Sequence, residues 1–215
     1  MLSTIILTYN EEKNIQSIID NIVSGVDEIL IVDGFSTDHT IDIVKKNNVS
    51  FVQREMHDDY GNQRNFAISK AKGDWIFMLD ADERCSTNLV KNFKTITTNT
   101  PYDGFTILWK NYCDGNLVEV PRKLCLFKRH GHYIDALHEK VNGLKKIANL
   151  KDESFFLTHY KSKQEQLDRL RKYKQIILDS IESAKQQEDW KKLEYYQNAL
   201  KRHTEKETIW LNDYL

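Results

Sequence analysis

Short apolar runs alternate with segments of helical periodicity over residues 1–80 of the chain. Leu2, Ile5, Ile6 and Leu7 predict a short strand that ends at Thr8. The apolar residues over 15–23 recur at the spacing of one helix face. Further strands are predicted over 28–32, 50–53 and 75–79, and further helices over 40–46 and 62–72. Alternating strands and helices are typical of a parallel, doubly wound α/β sheet with helices on both faces. Ligands of such sheets bind beyond the carboxyl ends of the strands.

The pattern changes after Asp82. A helix is predicted over 86–97, and hairpin-like strands over 105–112, 117–120 and 124–128, with Asp114-Gly115 in one turn. Beyond His159 the apolar positions predict two helices, so we place a domain boundary at about residue 160. We expect this 161–215 extension to pack on the preceding domain or to present a surface for a homodimer or for the membrane, and its sequence leaves these alternatives open.

Composition narrows the class of protein. The chain has 215 residues, 40% hydrophobic and 29% charged, which fits one soluble domain with a modest appendage. We find neither a secretion signal nor a run of the roughly 20 apolar residues that would cross a bilayer. The three cysteines lack metal-type spacing, which favours reduced thiols and a cytoplasmic protein. The net charge of −1 argues against a nucleic-acid-binding protein.

Two carboxylates, Asp80 and Asp82, directly follow the apolar strand over 75–79. Carboxylates at the end of a buried strand are costly unless a cation lies between them. Mg²⁺ and Mn²⁺ suit such hard oxygen ligands and complete their shells with phosphate oxygens and water. The alternative is a solvated loop whose acids cap a helix.

A second strand, over 28–32, also ends in an acid, Asp33, followed by Gly34. An acid in this position can bind a ribose hydroxyl or a base N–H, and the glycine lets a ligand approach the backbone. Asp38 fits either a ligand contact or a helix cap, and a turn with a cap would explain part of the whole segment.

Polar residues also follow the first strand and open a later helix. Thr8, Tyr9 and Asn10 could hold a nucleoside or only cap the next helix. Arg64 suits a base edge or diphosphate oxygens. Because the strands end at one edge of one sheet, we expect these groups to form a single site.

The basic run over 121–130 has two interpretations. Arg122 and Arg129 could bind donor phosphate or an anionic acceptor. The run could also be a solvated sheet edge, whose positive charge discourages strand pairing. For Lys123 we predict only the solvated edge.

Four motifs together resemble the pattern of glycosyltransferase family 2 with its GT-A fold. They are Thr8-Tyr9-Asn10-Glu11, Val32-Asp33-Gly34-Phe35-Ser36-Thr37-Asp38, Gln63-Arg64-Asn65 and Asp80-Ala81-Asp82. The chain is similar in particular to short bacterial members that modify lipopolysaccharide core. The resemblance covers residues 1–160 and implies a nucleotide-binding half over 1–100 and an acceptor half over 101–160.

The resemblance implies roles for these positions. The nucleotide-binding residues that it implies are Thr8, Tyr9, Asn10, Glu11, Asp33, Gly34, Arg64, Asp80 and Ala81. Within this set Asp80 would reach the ribose. Asp82 would hold Mn²⁺ or Mg²⁺ on the diphosphate, where the metal would neutralise the charge on the leaving group.

The general base is harder to assign. Many family members use a Glu-Asp pair, whereas this chain has His138-Glu139 in that region. We expect Glu139 to be the base, with Asp135 second and a surface salt bridge from Glu139 to Lys140 as the alternative. His159 matches the late histidine that GT-A enzymes often supply to the metal or diphosphate, although a histidine beside aromatic residues also packs in cores.

We therefore predict an inverting transfer of a sugar from a nucleoside diphosphate donor, with uridine favoured by the family. The expected acceptor is a glycan or a lipid-linked saccharide, and the expected location is the cytoplasm or the inner face of its membrane. A sugar nucleotidyltransferase would need a glycine-rich, basic loop after the first strand, which is acidic here. A non-catalytic nucleotide-sugar binder or scaffold is the other alternative.

Overall fold

The computed structural model describes residues 1–55, 59–135 and 139–214. The chain forms two compact units. The first comprises Met1–Tyr112 and Asn116–Tyr160, and the second comprises Cys113–Gly115 and Lys161–Leu215.

The first unit begins with alternating strands and helices, as the sequence predicts. They are β1 (Leu2–Thr8), α1 (Ile15–Ile22), β2 (Glu28–Asp33), α2 (Thr40–Lys46), β3 (Ser50–Gln53), α3 (Tyr60–Lys70) and β4 (Trp75–Asp80). The strands pair in parallel in the order β3-β2-β1-β4. Helix α3 begins two residues before its predicted start because the Asp59 side chain accepts a hydrogen bond from Asn62 N and caps it.

Hydrophobic residues cover both faces of this sheet. Successive residues of a strand point to opposite faces, so Ile6 and Ile5 belong to two different cores. The core around Ile6 packs against buried residues of α1, and the core around Ile5 packs against Ala67 and Ile68 of α3. The predicted α/β sheet with helices on both faces is thereby confirmed.

The sheet continues with antiparallel strands. The remaining elements of the first unit are β5 (Glu83–Cys85), α4 (Thr87–Thr97), β6 (Gly104–Cys113), β7 (Asn116–Glu119), β8 (Arg122–Lys128), β9 (His132–Ile134), β10 (Lys140–Asn142), β11 (Ile147–Asn149) and β12 (Phe156–Lys161). The order after β4 is β8-β6-β12-β5, with β7 and β11 also pairing with β6. Strand β8 is therefore inserted beside β4, and the short strand β5 returns at the far edge.

The carboxyl ends of three parallel strands meet at one edge of the sheet. Thr8 of β1 pairs with Asp33 of β2, and Leu7 of β1 pairs with Asp80 of β4. This register brings the predicted polar side chains to one place, which is where open α/β sheets bind ligands.

Two long helices form most of the second unit. Helix α5 (Lys163–Gln186) begins with a capping box between Ser162 and Glu165, and α6 (Trp190–Tyr214) follows. The helices are joined by a hydrogen bond between the buried His203 Nε2 and Leu170 O at 2.8 Å. Across the described ranges, no helix is both long and apolar enough to span a membrane.

Gly25, in the turn after α1, packs closely against Val90 of α4. A Cβ atom at Gly25 would lie 2.5 Å from Val90 O, which is a backbone atom and cannot turn aside. We expect Gly25→Ala to lower the free energy of unfolding by about 1–3 kcal/mol through overpacking. Urea denaturation followed by circular dichroism measures the change.

Gly115 provides a comparison in which an added methyl group strains the backbone but meets no other atom. Its φ is +81°, but a Cβ atom there would meet nothing within 4 Å. Gly115→Ala should therefore cost only backbone strain of about 1–2 kcal/mol. If Gly25→Ala unfolds at the same urea concentration as the wild type, the close packing at Val90 is wrong.

Candidate active site

Asp33 lies fully buried at the end of β2 and is satisfied by its neighbours. Its carboxylate accepts hydrogen bonds from Thr8 Oγ1 at 3.1 Å, Ser36 N at 2.9 Å and Gln53 Nε2 at 3.0 Å, and also from the Ser36 hydroxyl. A buried carboxylate needs such partners. Asp33 and Thr8 thus form one preorganised polar group at the carboxyl edge of the sheet.

The loops after β1 and β2 are joined to each other. Asn10, at a φ of 57°, accepts a hydrogen bond from Thr37 N at 2.8 Å, and Gly34 N donates to Thr8 O at 2.8 Å. Gly34 is packed closely, since a Cβ atom there would lie 3.3 Å from the Tyr9 ring. The Tyr9 side chain is half exposed and borders the same edge.

Asp38 has a structural function in this arrangement. Its carboxylate accepts hydrogen bonds from Thr40 N at 2.9 Å and from Glu12 N at 3.1 Å. Glu11 N in turn donates to the buried Thr40 hydroxyl at 2.8 Å. Of the two sequence alternatives for Asp38, these contacts favour the structural one: its carboxylate binds the first residue of α2 and the loop after β1, although His39 is the N-cap residue.

Arg64 of α3 joins the end of β4 to Glu139. Its Nη2 contacts Asp80 Oδ1 at 3.0 Å, its Nε contacts Glu139 Oε1 at 3.3 Å, and its guanidinium lies over the Tyr133 ring. Within the described part of the chain, the remaining nitrogen, Nη1, is buried without a hydrogen-bond partner. A buried unpaired guanidinium N–H is a strong donor for a ligand oxygen.

Lys123 corrects the sequence prediction of a solvated edge residue. Its ammonium contacts Asp80 Oδ2 at 2.8 Å and Glu83 Oε1 at 2.6 Å, and it lies over the Trp109 ring. Glu83 is fully buried, and its other oxygen accepts a hydrogen bond from Asp80 N at 3.0 Å. Lys123 is therefore part of the site, and sequence analysis missed both it and Glu83.

The charges in this cluster shift one another's pKa values. Burial favours a neutral Asp80, but Lys123 and Arg64 outweigh it and hold the pKa of Asp80 well below its usual range. Burial raises the pKa of Glu83. The adjacent carboxylates raise the pKa of Lys123 and of Arg64 against the effect of burial, so both cations stay charged.

Asp82 and His159 face each other across β5 and β12. His159 pairs with Glu83 in the strand register, which brings its Nε2 within 3.1 Å of Asp82 Oδ2. His159 Nδ1 contacts Asn111 Oδ1 at 2.7 Å, and the ring stacks on Trp109. Two ligand atoms directed at each other fit a divalent cation that takes few protein ligands and completes its shell from phosphate. In the described residues no group of three or more metal-ligating side chains occurs.

The other predicted residues are less central. Asp135 is exposed, at a φ of 72°, and its backbone carbonyl is close to Gly61 of α3. Ala81 is buried between the two aspartates. His138 lies outside the described residues.

The two arginines of the basic run bind backbone carbonyls. Arg122 donates to Leu150 O at 3.0 Å. Arg129 donates to Ala71 O at 3.0 Å and follows Lys128, which pairs with Trp75 at the start of β4. Arg129 therefore lies at the end of the sheet opposite Asp80. This position corrects the expectation that it contacts donor phosphate.

The family model described as glycosyl transferase family 2 matches residues 3–162. The match covers more than half of the chain, and the chain belongs to this family. The resemblance seen in the sequence motifs is confirmed.

Known relatives match over shorter segments. An uncharacterized glycosyltransferase of Rickettsia prowazekii (strain Madrid E) is 33% identical over 104 residues, which are 48% of this chain and 35% of that protein. The prophage-derived glycosyltransferase SunS of Bacillus subtilis (strain 168) is 34% identical over 79 residues, which are 36% of this chain and 19% of that protein. The matches thus span about a third or less of these relatives.

Among solved structures, TarS of S. aureus in complex with UDP-GlcNAc has a TM-score of 0.59 at 18% identity. The likeness covers 82% of this chain and 64% of that one. A second TarS structure has a TM-score of 0.58 and covers 84% of this chain and 39% of the other. The shared fold confirms the GT-A architecture.

Lys123 is the first residue to test. Lys123→Met would leave the buried Glu83 without a cation and Asp80 with Arg64 alone. We expect the free energy of unfolding to fall by about 3–5 kcal/mol, which is typical when one partner of a buried ion pair is removed. Urea denaturation at neutral pH provides the measurement.

Lys128→Met is the matched control on the same strand. Lys128 pairs with Asp103 at 2.9 Å, but its side chain is 34% exposed. Its removal should cost less, about 0–1 kcal/mol, because water reaches the lysine side of this pair. Equal losses in the two variants would contradict a buried function for Lys123.

Proposed function

We propose that this chain is an inverting glycosyltransferase that transfers a sugar from a nucleoside diphosphate donor to a hydroxyl or other nucleophile of an acceptor. Arg64 provides the observation that carries the proposal. It joins the predicted nucleotide residue Asp80 to the predicted base Glu139, and its buried Nη1 has no partner among the described residues. This arrangement suits an anionic or polar ligand bound at Nη1.

The nucleoside is assigned to the edge formed by β1, β2 and β4. Thr8 and Asp33 lie at the strand ends that form this edge, and Tyr9, Asn10, Glu11 and Gly34 border it. Asp80 is assigned to the ribose, with Ala81 beside it. Uridine is the proposed nucleoside, in keeping with the UDP-GlcNAc that TarS binds.

Asp82 and His159 are the proposed ligands of Mn²⁺ or Mg²⁺. Their facing oxygen and nitrogen atoms, 3.1 Å apart, fit such a cation, whose other ligands would be diphosphate oxygens and water. The cation would neutralise charge on the departing nucleoside diphosphate. Trp109 Nε1, next to His159, is also buried without a partner among the described residues and is a further donor for a ligand oxygen.

Glu139 is the proposed general base, with Asp135 as the second choice. Glu139 would take the proton from the acceptor while the acceptor atom attacks the anomeric carbon. The bond from that carbon to the diphosphate breaks, and the nucleoside diphosphate leaves from the opposite face. Arg64 holds the Glu139 side chain, which is 17% exposed, in a fixed orientation.

We propose a glycan or a lipid-linked saccharide as the acceptor, with residues 101–160 forming most of its site. The scaffold alternative is disfavoured because Arg64, Asp80, Asp82 and Glu139 are all present and mutually positioned. Location in the cytoplasm stays a prediction, with which the three free, buried cysteines agree.

Nucleotide binding is the first test. We expect UDP to raise the melting temperature in the presence of Mn²⁺ or Mg²⁺, because a ligand of the folded state stabilises it by mass action. GDP and dTDP serve as controls for the base. Asp82→Asn should remove the metal dependence of the shift. If no nucleotide changes the melting temperature of the wild type, the scaffold alternative replaces this proposal.

Glu139→Gln tests the base. Glutamine still offers an oxygen to Arg64 Nε but cannot take a proton at neutral pH, so kcat should fall by roughly 10²- to 10⁴-fold. Binding of UDP should change little. Asp135→Asn is the comparison, because a larger kcat loss there would move the base from Glu139 to Asp135.

A further inference from the structure

Asn111 connects His159 to a carboxylate on a neighbouring strand. The residue lies in β6 and is only 6% exposed. Its Nδ2 donates to Glu119 Oε1 at 3.0 Å, and its Oδ1 contacts His159 Nδ1 at 2.7 Å. Neither Asn111 nor Glu119 is among the residues predicted from the sequence.

Glu119 determines which way the Asn111 amide points. An ionised carboxylate only accepts hydrogen bonds, so it must face the NH₂ group of the amide. The amide oxygen of Asn111 is then directed at His159. Because that oxygen is an acceptor, His159 must carry a hydrogen on Nδ1.

The hydrogen on Nδ1 leaves Nε2 of a neutral His159 with a lone pair. This lone pair faces Asp82 Oδ2 at 3.1 Å, so two acceptors are directed at each other. Such a pair is stabilised by a proton or by a metal cation between the two atoms. Trp109 stacks on the imidazole, with ring centroids 5.2 Å apart, and restricts its rotation.

We infer that Asn111 is a positioning residue that makes His159 an Nε2 ligand for a divalent cation, with Glu119 orienting the Asn111 amide. The inference rests on the proposed function, which assigns the cation to Asp82 and His159. Histidine ligands of metals commonly donate their other N–H to a carbonyl or a carboxylate, which fixes the tautomer. Asn111 supplies that acceptor here.

The tautomer of His159 in the metal-free wild type is the first test. Two-bond ¹H–¹⁵N correlation spectra distinguish protonated from unprotonated ring nitrogens, and a His159→Gln variant identifies the signals. At a pH where free imidazole is neutral, we expect the hydrogen on Nδ1. A neutral ring with its hydrogen on Nε2 would overturn the inference.

Two near-isosteric variants test the effect on metal binding. Asn111→Leu removes the acceptor, so the hydrogen of His159 should move to Nε2 and occupy the position of the metal bond. We expect Mn²⁺ affinity in the presence of UDP, measured by electron paramagnetic resonance of free Mn²⁺, to fall by roughly 10- to 100-fold. Asn111→Asp keeps an acceptor for Nδ1, and the exposed Glu119 can turn to water. This variant should therefore bind Mn²⁺ more tightly than Asn111→Leu.

The outcomes separate this inference from the proposed function. If the wild type binds no Mn²⁺ with UDP, the metal assignment of the proposed function fails. If the wild type binds Mn²⁺ and both variants bind it as tightly as the wild type does, Asn111 has only a packing role and the inference is overturned. Circular dichroism of each variant shows whether it is folded. If Asn111→Leu does not fold, the wild-type spectra still decide the tautomer.

Discussion

The arrangement of this site depends on pairing the buried charges at the end of β4. Glu83 is fully buried, and a lone carboxylate in that position would be strongly destabilising. Lys123 neutralises it and also contacts Asp80, and Arg64 binds Asp80 from the other side. This chain of contacts joins α3, β4, β5 and β8. Each buried charge is neutralised by its neighbour in this chain of contacts. The contacts therefore fix the carboxyl edge of the parallel strands against the antiparallel strands.

The same charge pairing determines which polar atoms of the site remain for a ligand to bind. Both oxygens of Asp80 are engaged by cations, and Asp33 is satisfied by its own neighbours. Among the described residues of this site, the buried nitrogen atoms without a hydrogen-bond partner are Nη1 of Arg64 and Nε1 of Trp109. A diphosphate is rich in acceptors and carries negative charge, so it complements these donors, and a cation at Asp82 would remove its repulsion with the carboxylates. The site therefore suits an anionic ligand accompanied by metal.

The sequence predicts the elements of the parallel half and also β6, β7 and β8, but it does not predict that β8 pairs with β4. Thr8, Asp33 and Asp80 could be placed together because short apolar segments predict β1, β2 and β4, and the carboxyl ends of parallel strands lie at one edge of the sheet. Lys123 could not be placed, because its partners are 43 and 40 residues earlier in the chain and β8 pairs with β4 only through the topology. The sequence did contain one indication of a buried cation: Lys123 lies two residues before the buried residues Cys125, Leu126 and Phe127.

Arg64 connects the two halves in a way that a lysine could not. Its planar guanidinium contacts Asp80 and Glu139 through different nitrogens and still directs Nη1 elsewhere, whereas an ammonium is a single point of charge. An oxygen atom of the sugar-nucleotide donor, bound at Nη1, would restrain the guanidinium group that also orients Glu139. Under the proposed function, binding of the sugar donor and orientation of Glu139 would thus be coupled through one rigid side chain. This geometry gives a physical reason for placing the proposed base beside the nucleotide edge.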